Sequence, residues 1–157
     1  MKIKMLAIGK TDSDALDGLI SEYQKRISRT MSLEFEIIPA VKKTKNLSEV
    51  EQKAKEAQAI LAKIADTDTV VVLDERGRQY DSLAFAKYLQ QLMNSGIRQL
   101  VFVIGGPYGI AQPVHKRAQA SWSLSKLTFS HQMVRLFAIE QIYRAITILK
   151  NQPYHHK

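Results

Sequence analysis

Three short segments hold most of the residues whose types suit chemistry. LDERG at 73–77 follows the apolar run TVVVL, and GGPYG at 105–109 follows LVFVI. Runs rich in β-branched residues with no polar alternation read as strands covered on both faces, the pattern of a parallel sheet. Ligands of such sheets sit beyond the carboxyl ends of the strands, so Leu73 and Gly105 mark the rim of a candidate pocket. Glycines at these points remove Cβ atoms where the chain turns sharply or where backbone must approach a ligand. The third segment, WSLSKLTF at 122–129, interleaves Ser123, Ser125 and Thr128 with Leu124 and Leu127 and reads as a strand turning into a loop. It can offer backbone amides and carbonyls to a flat heterocycle while leucines cover the ring faces. An edge strand with solvated hydroxyls fits the same letters. GGPYG is not GxGxxG and lies late in the chain, and no Walker motif is present, so a dinucleotide or P-loop site is disfavoured.

The titratable residues narrow the choice. Histidines stand at 115, 131, 155 and 156, with no HExxH, ExxH or carboxylate cluster at ligand spacing, so no metal is expected. With no cysteine there is no thiol nucleophile or thiolate metal site, and the composition suits a reducing cytoplasm. The tail PYHHK has a stiffening proline and Tyr154, which can stack on a base; it reads either as a solvated tail or as a segment folded over a site. Arg135 and Arg144 are nine residues apart, which at 3.6 residues per helical turn points them in directions about 180° apart. One helix cannot bring both to one site: either the second acts across a dimer interface or both are held in ion pairs.

Charge adds a partner class. Residues 1–81 carry 14 basic and 14 acidic side chains, whereas residues 82–157 carry nine Lys or Arg and a single acid, Glu140, and so account for the whole net charge of +8. A one-sided field of this kind attracts a polyanion. RNA, DNA or an anionic membrane surface each fits, as does a basic surface kept for solubility.

The elements that must position these residues follow from periodicity. The opening run KIKMLAIGK reads as a strand, too short to span a membrane and without a signal-peptide cleavage site. Leu16, Leu19, Ile20, Tyr23 and Ile27 repeat at helical spacing, and LEFEII at 33–38 alternates as a strand. Pro39 to Lys45 reads as a loop. Ser48 with Glu51 forms a capping box ahead of Val50, Ala54, Ala57, Leu61 and Ile64 on one helical face. After the strand at 69–73, broken at Asp74 to Gly77, Asp81 or Ser82 caps a helix carrying Phe85, Leu89 and Leu92 that ends before Gly96; the next strand is 100–104. Alternating strands and helices over 157 residues predict one α/β domain with a mostly parallel sheet flanked by helices. The segment 132–150 is apolar nearly all round, with one face at Val134, Phe137, Ala138, Ala145, Ile148 and Leu149 and another at Met133, Leu136, Tyr143 and Ile146. Such a helix is buried on nearly all sides, either in a monomer core or between the sheet and a second copy; the excess of apolar face favours a homodimer.

Taken together, LDERG, VFVIGGPYG, SWSLSKLTFSHQMVR, EQIYRA and PYHHK, in this order and spacing, resemble the RlmH family of large-subunit ribosomal RNA methyltransferases, of the SPOUT superfamily. The resemblance covers essentially the whole chain. It implies a SPOUT-type α/β fold with a C-terminal trefoil knot, a homodimer, and S-adenosylmethionine held by the knot loops. It implies cofactor contacts at Leu73, Gly105, Leu124, Ser125, Lys126, Leu127, Thr128 and Phe129. The implied reaction is methyl transfer to N3 of a pseudouridine in 23S rRNA of the assembled ribosome, in the cytoplasm, with no membrane partner. His131, Arg135, Tyr154 and His155 are the candidates for handling the N3 proton and the base. A non-catalytic ribosome-associated RNA-binding module and a tRNA methyltransferase of the same fold remain as alternatives.

Overall fold

Consecutive residues of the central strands are buried on alternate faces of the sheet, and this sets the layers. In β1 (Lys2–Ile8), Ile3, Met5 and Ala7 face one side of the sheet while Leu6 and Ile8 face the other. In β4 (Gln99–Ile104), Leu100, Phe102 and Ile104 join the first side, and Val101 and Val103 the second. The computed structural model describes residues 1–42 and 47–155. Within them β1, β4, β2 (Leu33–Ile38), β3 (Thr69–Arg78) and β5 (Ala120–Trp122) form a five-stranded sheet in the order β2-β1-β4-β3-β5. Every pairing is parallel, so the mostly parallel expectation becomes an all-parallel sheet here.

Helices cover both faces, as parallel sheets require. On the first lie α1 (Asp14–Ser28), α3 (Ser82–Asn94) and α5 (Met133–Leu149), with Ile20, Ile27, Phe85, Leu89, Ile139 and Ile142 buried against the sheet. The second face takes α2 (Glu49–Leu61) and the short α4 (Gln112–Arg117), through Ala57, Ile60 and Val114. The expected caps form: Ser13 accepts from the Leu16 amide, Ser48 and Glu51 make a reciprocal capping box, and Asp81 accepts from the Ala84 amide at 2.7 Å. Among the described residues no helix is long and apolar enough to cross a membrane.

Four details depart from the sequence reading. β3 does not stop at Leu73 but runs to Arg78, with a register shift in which both Leu73 and Arg78 pair with Trp122. Asp74 to Gly77 therefore bulge without ending the strand, and Gly77 lies so close to β5 that a Cβ there would fall 2.7 Å from the Ser121 carbonyl carbon. Secondly, α4 has too few residues to display an apolar period and escaped the pattern. Thirdly, α2 is rotated from the expected face: Val50 is 77% exposed and Ala54 exposed, while Gln52 and Glu56 are buried beside Ala57 and Ile60. Leu19 of α1 is likewise exposed. The expected loop 39–45 and the tail 151–157 lie partly outside the described residues, which exclude 43–46 and His156 with Lys157.

Candidate active site

A cavity of about 360 Å³ opens beyond the carboxyl ends of β4 and β5 and beside the bulge of β3. That is the place where parallel strand order and loop geometry converge on ligands, and the size of a small-molecule site. Its walls include Leu73, Gly105, Leu124, Ser125, Leu127, Thr128 and Phe129, seven of the eight expected cofactor residues; Lys126 is not on its wall. The turn 105–109 folds back on itself, with the Gly109 amide donating to the Gly106 carbonyl at 3.0 Å. Gly105 is enclosed by that turn: a Cβ there would meet Ile110 at 2.8 Å and the Gly109 carbonyl carbon at 2.9 Å.

The hydroxyls of the opposite loop are not merely solvated. Ser123 donates to the Ser125 carbonyl at 2.7 Å, the Ser125 hydroxyl accepts from the Leu127 amide at 3.0 Å, and Thr128 donates to Glu75 at 2.9 Å. The last bond ties the loop to the β3 bulge. In that bulge Arg76 binds Asp74 through both Nε and a terminal nitrogen at 3.1 Å, and holds the Asp74 carboxyl below its ordinary pKa. His115 Nε2 approaches Asp74 to 3.4 Å without hydrogen-bond alignment.

The proposed catalytic residues separate into two groups. His131 lines the cavity, and burial with the nearby Arg135 cation pushes its pKa down, against smaller upward pulls from Asp12 and Glu56. Arg135 lies below the cavity in the core, 0% exposed, donating to the carbonyls of Ile8 at 2.6 Å, Gly9 at 2.9 Å and His131 at 3.0 Å and to the Thr11 hydroxyl at 3.3 Å. Gln132 joins it, bonding the Lys10 carbonyl at 3.1 Å and accepting from the Asp12 amide at 3.2 Å. These two side chains pin the start of α5 to the loop that leaves β1.

Tyr154 and His155 stand elsewhere. Tyr154 donates to Glu140 at 2.9 Å, pairs with the Tyr23 hydroxyl at 3.1 Å, meets Tyr143 edge-on at 4.8 Å, and lies under the Arg144 guanidinium at 4.7 Å. Burial first, then the bonds to Tyr23 and Glu140, raise its pKa. Arg144 itself is paired with Glu140 at 2.6 Å. This cluster packs against the middle of α5, at Glu140, Tyr143 and Arg144, whereas His131 precedes the helix's amino end. The nine positions from His131 to Glu140, at 1.5 Å each, correspond to about 13 Å along the axis. The two arginines thus do divide between two places, as their spacing demands. Neither Tyr154 nor His155 lines the cavity of its own chain. Glu56 and Lys53 of α2, which the sequence reading passed over, both bear on the cavity: Lys53 is on its wall, and Glu56 is buried against Gly106.

The model of a family described as "Predicted SPOUT methyltransferase" matches residues 1–155. The chain belongs to the SPOUT methyltransferase family. Relatives agree along their whole lengths: proteins named ribosomal RNA large subunit methyltransferase H from Christiangramia forsetii, Flavobacterium johnsoniae and Parabacteroides distasonis are 56%, 55% and 50% identical over 157 residues, covering all of both chains. For a SPOUT methyltransferase the cavity has a chemical meaning, since a methyl donor must be held with its reactive carbon facing the substrate. Among the described residues no group of three or more His, Asp or Glu is arranged to hold a metal ion.

Proposed function

We propose that this SPOUT methyltransferase transfers a methyl group from S-adenosylmethionine to N3 of a pseudouridine in 23S rRNA of the assembled ribosome. The observation that carries the reading is the convergence of the 105–109 turn, the 124–129 loop and His131 on one cavity in a chain of this family. The names of its full-length relatives supply the rRNA. The donor set fits such a cofactor: Leu73, Leu124 and Leu127 give apolar cover for a flat base, and the turn and loop present main-chain groups beside it. When bound, S-adenosylmethionine supplies a methyl group already activated on a sulfonium.

The chain's own residues then have to hold the target base and take the N3 proton. His131 suits the second task, because a lowered pKa leaves it neutral near pH 7 with a ring nitrogen able to accept. Arg135 acts by fixing the backbone on which His131 stands. Tyr154 and His155, which are off the cavity wall of their own chain, are assigned to the site of a second copy, so a homodimer belongs to the proposal. Met133 and Phe137, 41% exposed on α5, with Phe137 against Phe129 at 5.3 Å, form an apolar face suited to that copy. The knot implied by the resemblance belongs to it too, supported by the turn and loop meeting around one cavity before the chain enters α5. Work on ribosomes puts the enzyme in the cytoplasm.

Purified chain incubated with ribosomes and isotopically labelled S-adenosylmethionine, followed by nucleoside mass spectrometry, tests the reading. Labelled N3-methylpseudouridine in 23S rRNA is the expected result. Label in tRNA alone identifies a tRNA methyltransferase, and ribosome binding without any label identifies a binding module; either overturns the proposal.

A further inference from the structure

We infer that Glu56 sets the charge preference of the cofactor site, favouring the sulfonium cation of S-adenosylmethionine over the neutral thioether of its demethylated product, S-adenosylhomocysteine. The inference rests on the methyl-donor reading above and deepens it. Glu56 is 3% exposed and its neighbour on the same face of α2, Gln52, 5%. Glu56 Oε1 accepts from Gln52 Nε2 at 2.9 Å, while Oε2 is buried without a hydrogen-bond partner among the described residues. The carboxylate is set against Gly106: a Cβ at that glycine would fall 2.7 Å from Oε2 and 3.0 Å from Oε1. Gly106 lines the cavity, so the carboxylate stands directly behind the wall, at a point where any side chain would displace it.

The other acids at the cavity are neutralised or wet. Asp74 is clasped by Arg76, and Glu75 is exposed and bonded to Thr128. Glu56 alone combines burial with a neutral partner, an arrangement that costs the fold stability unless a cation answers it. Lys53 shares the wall but forms no ion pair with it among the described residues. His131, on the same wall, already feels the carboxylate as an upward pull on its pKa. A bound sulfonium is a permanent cation, and in a poorly screened site a single charge about 10 Å away alters its affinity by about tenfold. A thioether carries no charge for the carboxylate to hold. Product release is then favoured by the loss of charge that methyl transfer itself causes.

Calorimetric titration of the purified full-length chain with each of the two ligands reads the preference as a ratio of dissociation constants. Glu56→Gln, isosteric and still able to accept from Gln52, is expected to lower the ratio favouring S-adenosylmethionine by about tenfold, with S-adenosylhomocysteine affinity changed less than about twofold. Gln52→Lys, which places an ammonium beside the intact carboxylate, is expected to shift the ratio the same way and decides the matter if Glu56→Gln does not fold. Equal weakening of both ligands, or an unchanged ratio, overturns the inference and leaves the methyl-donor reading standing. A wild-type chain that binds neither ligand overturns both.

Discussion

Arg135→Met distinguishes a clamp from a catalytic group. The guanidinium makes four hydrogen bonds, to three carbonyls and one hydroxyl, all in the protein, and no carboxylate pairs with it among the described residues. Methionine keeps most of the apolar stem and removes every donor. Hydrogen bonds from a charged donor contribute about 1.5–3 kcal/mol each, so their loss approaches 8 kcal/mol in round terms. Burying the cation costs several kcal/mol, and burial indeed lowers its pKa, so the variant recovers roughly 5 kcal/mol of that. The net destabilisation is about 3 kcal/mol. With an unfolding entropy of about 2.1 cal/mol/K per residue, a chain of this length loses about 9 °C of Tm. Differential scanning calorimetry at pH 7 measures it. S-adenosylmethionine affinity is expected to fall as well, because the start of α5 and His131 lose their anchor on the β1–α1 loop. A Tm within about 2 °C of wild type together with abolished methylation would refute the clamp and put the guanidinium at the substrate.

Two further perturbations probe the cavity. Gly77→Ala drives a Cβ onto Ser121 backbone, which cannot swing aside as a side-chain tip can; about 2 kcal/mol of stability and most cofactor affinity are expected to go, and a wild-type melt with wild-type binding contradicts the close approach. If His131 accepts the N3 proton, log kcat/KM rises with pH and levels off below its ordinary value of about 6.5, because burial and Arg135 lower its pKa. Linkage runs the same way: the folded chain binds fewer protons at His131 than the unfolded chain, so its stability contribution falls as pH drops from about 6.5 through the lowered pKa. A plateau reached only above pH 7.5, or an acid limb that survives in His131→Ala, removes the residue from that role.

Most of the fold was legible because parallel strands and amphipathic helices announce themselves by local period and by caps. Val70 to Val72 and Leu100 to Ile104 are buried on both faces, with the Asp74–Gly77 bulge and the 105–109 turn just beyond them. What failed was information that tertiary contact supplies. Hydrophobicity draws the phase of α2 through Val50 and Ala54, yet the helix turns Gln52 and Glu56 inward, where Gly106 of the 105–109 turn leaves room for a carboxylate. Polar letters at helical spacing give no sign of that. The Asp74–Gly77 break looked like a strand end for a similar reason: only the partner strand, through Trp122, reveals a bulge. Arg135 reads as a surface or catalytic cation since nothing local tells a buried guanidinium from an exposed one; three of its four acceptors come from residues more than 120 positions earlier.

The two ends of α5 lead to the remaining prediction. The Tyr154 cluster is fixed to α1 through Tyr23 and to the middle of α5 through Glu140, so no side-chain motion carries Tyr154 the roughly 13 Å to the cavity of its own chain. If the tail acts on the reaction at all, it acts on a partner's cavity, and each active site of the proposed homodimer then joins one chain's His131 to the other's tail. His131→Ala and a chain truncated after Gln152 should each be inactive alone. Mixed and refolded in equal amounts, half of the dimers are heterodimers in which one of two sites is complete, so about a quarter of wild-type activity returns. Methylation of ribosomes by the mixture, with each variant alone as the baseline, measures it. An inactive mixture whose heterodimers are demonstrated by mass spectrometry would mean that His131 and the tail belong to the same chain's site, and the tail would then have to leave its bonds to Glu140 and Tyr23 and fold over that cavity.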